Sequence, residues 1–259
     1  MIRAFYISGA GMAAQQNRVE IIANNVANVN TAGYKGIKSS FAQLMMSKMD
    51  QVDPSTGLPD PAKEQLSFGC GVKVAKNPRD FRVASALDTG RPMDFMLEDE
   101  GFFAVRGSNG EVKFTRAGQF ETSIGNGSFT IVTPEGEAVL DQNGNPITLT
   151  GVPGDMGVSK NGAISMGGVN TGRVIGRFAF DKPESLLSAG GSSYLVTEAS
   201  GQPINFPGCR MRQGVLENSN VDLGEEMSDL IAGQRTYQMN ARMLQWSEDI
   251  ERMTNALRA

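Results

Sequence analysis

The C-terminal stretch of the chain constrains its fold more than any other. Between Asn220 and Leu257, apolar side chains recur every three or four positions, the spacing that places them along one side of an α-helix. No proline interrupts the stretch, and Gly233 is the one weak helix former in its interior. Asp222 and Glu225 stand three positions apart at its start, which resembles the capping box that begins a helix. The pattern predicts an amphipathic helix about 54 Å long.

The apolar stripe of this helix changes phase between Tyr237 and Trp246, so we expect the helix to pack against more than one neighbour. The N-terminal stretch supplies one candidate. Residues 2–29 carry a weaker stripe of the same period and predict a second amphipathic helix. We expect it to end between Asn28 and Gly33, because asparagine, threonine and glycine favour turns and helix ends.

Residues 70–212 have the features of an all-β region. Short apolar segments are separated by the pairs Asn109-Gly110, Asn143-Gly144 and Asn161-Gly162, which tight hairpin turns prefer. Many short strands with regular turn signals are typical of a sandwich or a partly closed barrel. The expected strands are 72–75, 102–106, 112–116, 128–133, 138–140, 147–149, 163–166, 173–180, 194–197 and 209–213.

The composition excludes several classes of function. The chain has 259 residues, 40% of them hydrophobic, which is enough to bury a core, but no histidine, the commonest general base and metal ligand. A net charge of −4 argues against a nucleic-acid-binding face. No phosphate-binding loop, dinucleotide fingerprint or nucleophile elbow occurs. Apolar runs are too short to span a membrane. We therefore expect no catalytic site, no cofactor and no metal site.

Two small features deserve comparison with this expectation. Glu98, Asp99 and Glu100 form the densest carboxylate run, which could supply an acid and a base or bind a hard cation. Consecutive strand residues face opposite sides, so a solvated turn explains the run better. Cys70 and Cys209 are far apart in a long chain, and two small buried thiols are the simpler interpretation. Whether they form a disulfide stays open.

Several blocks of residues occur in an order typical of one protein family. The sequence IIANNVANVNTAGYK occupies residues 21–35, and further blocks are EGFF at 100–103, FTRAGQF at 114–120, QGVLENSNVD at 213–222 and QRTY at 234–237. Together they make the chain resemble the bacterial flagellar axial family of rod and hook proteins. An insertion at residues 41–66, rich in proline and glycine, is similar to that of distal rod members. Phe114, where tyrosine is usual, and Cys70 are minor departures.

This resemblance implies an α+β fold in which long N- and C-terminal helices pair as a coiled-coil-like core and a central all-β domain forms a sandwich or partly closed barrel. The expected segments are an N-terminal core helix with its signature turn at 1–35, an extended rod-specific excursion at 36–69, an all-β outer domain at 70–212 and a C-terminal core helix at 213–259. No enzymatic role follows.

The resemblance also implies a function. The chain is expected to be a structural subunit of the flagellar basal-body rod, of the distal type, which polymerises into a helical tube and transmits torque from motor to hook. Residues 41–66 would wedge between neighbouring subunits, and Asn24, Asn25 and Asn28 would set the turn that leaves the N-terminal helix. The residues expected to form helix-packing contacts between subunits are Ile22, Val26, Met227, Leu230, Tyr237, Leu244, Ile250 and Leu257.

The expected partners are further copies of the chain, other rod proteins, the hook protein and the flagellar type III export apparatus, with no nucleic acid and no membrane insertion. The expected location is the basal body in the cell envelope, reached without a Sec signal peptide. Whether rings surround the rod stays open. The alternatives are a proximal rod subunit, a non-flagellar fibre or adhesin subunit, and, remotely, a β-barrel hydrolase. Hook protein fits less well because its outer domains are usually larger.

Overall fold

A computed structural model describes residues 2–44, 47–49, 66–69, 71–125 and 127–257. The chain divides into two compact units. The first unit comprises Met1–Val26, Ile37–Pro78 and Leu223–Ala259, and the second comprises Ala27–Gly36 and Arg79–Asp222. Much of the predicted excursion at 36–69, including most of the expected wedge at 41–66, lies outside the described residues, as does Cys70.

The first unit contains two helices, α1 at Ile2–Ala27 and α2 at Leu223–Ala256. Both are continuous, as the uninterrupted apolar periodicity requires, and their ends fall within three residues of the predicted ones. Glu225 and Glu226 occupy the first turn of α2, where carboxylates interact favourably with the positive end of the helix dipole.

Short strands of the first unit lie within the predicted excursion and just after it. Strands β1 at Phe41–Gln43 and β4 at Val72–Val74 pair antiparallel, and so do β2 at Ser47–Met49 and β3 at Leu66–Phe68. The segment 72–74, which the sequence predicted as part of the all-β region, therefore pairs within the first unit. Residues 53–61, whose proline and glycine content predicted an extended chain, lie outside the described residues.

The second unit is built from β-strands, which confirms the α+β class. Its strands are β5 Ala86–Asp88, β6 Phe95–Leu97, β7 Phe102–Arg106, β8 Val112–Thr115, β9 Glu121–Gly125, β10 Ser128–Val132, β11 Ala138–Val139, β12 Thr148–Leu149, β13 Met156–Val158, β14 Ala163–Met166, β15 Val169–Val174, β16 Arg177–Ala179, β17 Leu187–Gly190, β18 Ser193–Leu195, β19 Ile204–Asn205, β20 Met211–Gln213 and β21 Val215–Glu217. Short 3₁₀ helices lie at Pro153–Asp155 and Pro183–Ser185.

The largest sheet of the second unit is antiparallel and has the order β12-β10-β11-β7-β8-β18-β17. Strand β16 pairs with both β7 and β19, and β9 pairs with β10. A three-stranded sheet has the order β13-β14-β15, and the pairs β20-β6 and β21-β5 stand apart from both sheets. The pairs β7-β8, β9-β10, β10-β11 and β17-β18 join consecutive strands, as hairpin turns require, whereas β8-β18 and β16-β7 join strands distant in sequence.

Strand β7 lies at the centre of the core and is buried on both faces. Phe103 and Val105 belong to one apolar cluster, whereas Phe102 and Ala104 belong to another. Because successive strand residues point to opposite faces, the sheet is covered on both sides at this strand. This explains why EGFF and the residues after it read as a continuous apolar run.

One predicted strand is interrupted. The stretch 173–180 was expected to be a single strand, but β15 ends at Val174 and β16 begins at Arg177. Between them, Gly176 passes so close to the β11–β12 connection that an added Cβ would lie 2.7 Å from the carbonyl oxygen of Asp141. The close approach breaks the strand at a glycine.

Candidate assembly surface and a buried polar clasp

Helices α1 and α2 touch at two glycines. A Cβ atom added at Gly11 would lie 2.9 Å from the Asn240 side-chain nitrogen, and one added at Gly233 would lie 3.4 Å from Cγ2 of Val19. The contact nearer the start of α1 is the one nearer the end of α2, so the two helices run antiparallel. The weak helix former of the C-terminal helix is therefore the residue that admits a neighbouring helix.

Polar contacts hold the same pair of helices together. The Arg18 guanidinium lies 2.8 Å from the Asp229 carboxylate. Asn25, which is buried, donates from Nδ2 to Oε1 of Glu226 at 2.8 Å and to the carbonyl of Ile37 at 2.9 Å, and its Oδ1 accepts from the Ile37 amide at 3.0 Å. Burial raises the pKa of the Glu226 carboxyl, and the bond from Asn25 opposes that rise. Asn25 thus joins the end of α1 to the start of α2 and to the chain beyond the turn.

Beyond these contacts, α2 exposes apolar side chains along its whole length. Among its residues, only Gly233 and Ser247 are buried. Trp246 is 60% exposed and Leu257, which follows the helix, is 89% exposed. We call the exposed apolar residues the α2 face: Leu223, Met227, Ile231, Tyr237, Met239, Met243, Trp246, Ile250, Met253 and Leu257. Exposed apolar surface on this scale is typical of a surface that packs against another molecule.

The residues predicted to contact other subunits differ in their exposure within the chain. Met227, Tyr237, Ile250 and Leu257 lie on the α2 face, and Leu230, Leu244 and Val26 are half-buried. Ile22 and Asn25 are buried within the first unit, whereas Asn24 is exposed. Asn28 is half-buried and belongs to the second unit. Their contacts with other subunits stay predictions.

Sequence reasoning left other exposed apolar residues off this interface. Phe5, Tyr6 and Ile7 are exposed near the start of α1, and the Phe5 and Tyr6 rings meet edge to face with centroids 6.0 Å apart. Trp246 and Met243 were recognised as part of the stripe, but the sequence alone does not say which side of a stripe is covered within the chain.

The second unit contains a feature that the sequence did not predict. Three stretches, Gly33–Gly36, Arg79–Ala84 and Glu217–Asn220, are joined by buried polar groups, and we call this arrangement the clasp. Nζ of Lys35 donates to Oε1 of Glu217 and to the carbonyl of Arg82, both at 2.7 Å. The same Oε1 accepts from the Ala84 amide at 2.9 Å. The Lys35 and Glu217 side chains are 0% and 2% exposed.

Asn220 makes a second bridge across the same three stretches. Its Oδ1 accepts from the Gly36 amide at 2.8 Å, and its Nδ2 donates to the Asp80 carbonyl at 2.7 Å. The Asp80 amide donates to the Gly36 carbonyl at 2.9 Å, and the Gly33 amide donates to the Glu217 carbonyl at 2.8 Å. Each stretch is thus bonded to both others.

The clasp buries two cations with one carboxylate. Nε of Arg116 lies 3.3 Å from Oε2 of Glu217, and its NH1 donates to the carbonyls of Asp99 and Gly101. Burial lowers the pKa of the Lys35 ammonium and the Arg116 charge lowers it further, whereas Glu217 raises it. Removing Glu217 leaves the buried charges of Lys35 and Arg116 without compensation, which is strongly destabilising.

The candidate chemical groups have structural partners. Glu98 lies 3.3 Å from the Arg210 guanidinium, and Asp99 accepts from the Arg210 amide at 2.9 Å. Cys209 is a buried free thiol whose pKa is raised by burial. Among the described residues, no group of three potential metal ligands is close enough to hold an ion. No described helix is long and apolar enough to cross a membrane.

A cavity of about 330 Å³ lies within the second unit, lined mainly by polar groups such as Thr115, Glu135, Ser188 and Ser193. Arg79 also lines it, but this guanidinium already donates to the Lys35 carbonyl and to Oγ of Ser188. The lining offers no convergent acid, base or nucleophile.

Three family models match the chain. "Flagella basal body rod protein" matches residues 5–35, "Flagellar hook protein FlgE/F/G D1 domain" matches residues 96–166, and "Flagellar basal body rod FlgEFG protein C-terminal" matches residues 212–257. The first and last matches cover most of the two helices, and the middle match covers the central strands.

Relatives match over nearly the whole length. The flagellar basal-body rod protein FlgG of Borreliella burgdorferi is 32% identical, with 100% of this chain and 99% of the relative covered. FlgG of Caulobacter vibrioides is 31% identical, with both chains covered completely. The flagellar basal-body rod protein FlgF of the same organism is 30% identical over 97% of this chain and 96% of the relative.

Proposed function

Because the chain belongs to the flagellar basal-body rod protein family and is a structural subunit of the rod, we propose that it is a distal rod subunit that polymerises into a helical tube. The tube transmits torque from the motor to the hook. The observation that carries this proposal is the α2 face, which is apolar along the helix and uncovered in the single chain.

A helical polymer satisfies such a face physically. Each copy presents one surface to a different surface of the next copy, and where the rotation between copies does not close a ring, the contacts repeat along a helix. In this arrangement α1 and α2 pair as a coiled-coil-like core and pack beside the helices of neighbouring copies, and the β-strands of the second unit form the outer sandwich or partly closed barrel. The antiparallel contacts at Gly11 and Gly233 support the pairing within one copy.

The proposed interface uses the residues of the α2 face together with Leu230 and Leu244, which are half-buried. Val26 and Asn24 extend it from the end of α1. Ile22 and Asn25 are buried within the first unit, where they fix the positions of the helix ends that contact neighbouring copies. Asn28 sets the turn after α1.

The proposed partners are the molecules that a rod subunit contacts during export and assembly. They are further copies of this chain, other rod proteins, the hook protein and the flagellar type III export apparatus, which would carry the subunit to the basal body. A proximal rod subunit is the second candidate, because FlgF, another rod protein, matches almost as well as FlgG.

Deleting residues 223–259 tests the proposal, because this removes α2 and leaves the second unit intact. The truncated chain lacks α2 and its face, so we expect cells to export it but to build rods that stop short of full length in electron micrographs of basal bodies. Complete rods and normal swimming would refute the assignment. A rod that stops at its proximal end, and not beyond it, would favour the second candidate.

A matched control separates assembly from expression. Replacing the exposed hairpin residues 108–110 of the second unit with Gly-Ser-Gly leaves α2 intact, and we expect rods to form. The comparison therefore assigns the defect to the helix.

A further inference from the structure

The clasp lies where the chain enters and leaves the second unit. The polypeptide passes from one unit to the other at residues 26–27, 36–37, 78–79 and 222–223. Lys35 and Gly36 end the first stretch of the second unit, Arg79–Ala84 begins the next, and Glu217–Asn220 precedes the last passage. The buried bonds therefore join stretches that are distant in sequence but adjacent to these passages.

We propose that the clasp is a mechanical joint that makes these stretches carry tension together. The inference depends on the proposed function, since a subunit that transmits torque is loaded through its covalent connections. Tension applied through α1 reaches the second unit at Ala27, and tension applied through α2 reaches it at Asp222. The clasp bonds the stretches behind both points directly to each other.

The chemistry of the clasp suits this role. The Lys35–Glu217 pair joins residues 182 positions apart and is almost completely buried. Moving one stretch away from another breaks this pair and leaves a charge either exposed to water or buried without its partner. This costs much more free energy than breaking a solvated surface pair. Asn220 adds two neutral bonds across the same stretches. A joint of this kind resists partial opening, because its bonds must break together.

Pulling the purified full-length chain by its two termini in optical tweezers tests the joint. We expect Glu217→Gln, which keeps the shape of the side chain but removes its charge, to lower the force at which the second unit opens. Asn220→Ala should lower this opening force too. If Glu217→Gln fails to fold, the force measured for Asn220→Ala tests the joint by itself. The matched control is Glu137→Gln, which removes the partly buried pair of Lys113 and Glu137, 2.5 Å apart in the same unit and outside the clasp.

Hydrogen exchange on the same samples gives a second readout. The amides of Gly33, Gly36 and Asp80 should exchange at least about tenfold faster in Glu217→Gln and in Asn220→Ala, because all three depend on the clasp. In Glu137→Gln their rates should match those of the wild type. An unchanged opening force in both clasp variants, or an equal loss in the control, would overturn the inference.

Cells separate this inference from the proposed function. Cells carrying Asn220→Ala should build rods but lose swimming speed in viscous medium, where torque is high, more than Glu137→Gln cells do. If the wild-type chain builds no rod, the proposed function fails while the force difference on the isolated chain still stands. If rods form and both variants swim alike in viscous medium, the joint carries no load and the inference is wrong.

Discussion

At the scale of single residues, some glycines allow the chain to turn, whereas others lie where another part of the chain comes too close for a side chain. Gly118 lies beside β6, where its carbonyl accepts from the Phe95 amide, and an added Cβ would lie 1.7 Å from the Phe95 carbonyl oxygen. The sequence shows Gly118 only as part of a family block. It gives no sign of this contact, because the contact depends on how β6 lies against the chain after β8.

Gly118→Ala should therefore destabilise the second unit by about 3 kcal/mol, since the backbone must shift to admit the methyl group. Urea unfolding followed by near-ultraviolet circular dichroism, which reports the buried aromatic rings of the second unit, measures the loss. The control is Gly125→Ala, where no atom lies within 4 Å of the added Cβ and the free energy of unfolding should change by less than about 1 kcal/mol. Equal unfolding midpoints for the two variants would contradict the close approach.

Asn25 is the residue for which sequence reasoning and geometry meet most closely. It was predicted to set the turn after the N-terminal helix, and its amide makes three bonds that join α1, Ile37 and Glu226. We expect Asn25→Ala to cost about 2 kcal/mol of unfolding free energy, because buried backbone groups lose their partner. Thermal unfolding followed by circular dichroism checks this, with the exposed Asn30→Ala as the control. A loss no greater than in the control would show that Asn25 is dispensable.

Lys35 gives the stability a pH dependence with a definite sign. Because burial lowers its pKa below the ordinary 10.5, the unfolded chain binds the proton more tightly than the folded chain. The contribution of Lys35 to the free energy of unfolding therefore increases as pH rises through the window between the lowered pKa and 10.5. The difference between wild type and Lys35→Met, measured by urea unfolding, should grow in favour of the wild type across that window. A difference that shrinks with rising pH would show the opposite shift.

At the scale of elements, the helices were predictable and many strands were not. Sustained apolar periodicity over many turns is a strong local signal, and it gave α1 and α2 to within three residues. Strands β5, β9 and β17 have no comparable apolar pattern, because their side chains are mostly exposed and their pairing rests on backbone hydrogen bonds to a partner strand. Such pairing is non-local, so a single strand sequence does not reveal it.

The α2 face yields a prediction at this scale. Ile250 is 44% exposed, so Ile250→Ser should change the unfolding free energy of the isolated chain by less than about 0.5 kcal/mol. It should nevertheless reduce polymer formation, because the apolar contact with the next copy is lost. Sedimentation velocity and electron microscopy of concentrated protein measure assembly. The exposed neighbour Glu251→Ser should assemble normally, and equal assembly by both variants would remove Ile250 from the interface.

At the scale of the whole molecule, the order of the family blocks was enough to indicate a flagellar rod protein, but not the division into two units. The segment 27–36 belongs to the second unit although both of its chain neighbours belong to the first. Its attachment depends on Lys35 and its partner Glu217, which lie in different family blocks. Their pairing was not visible in the sequence, because nothing local marks a lysine or a glutamate as buried.

Assembly into a rod requires, above all, that another copy of the subunit covers the α2 face. The direct test places a photoreactive amino acid at position 246, which is 60% exposed in the single chain, and identifies the crosslinked peptides in purified basal bodies. The account predicts crosslinks from position 246 to the terminal helices of a second copy. Flagellated cells in which every crosslink from that position stays within one chain would contradict it.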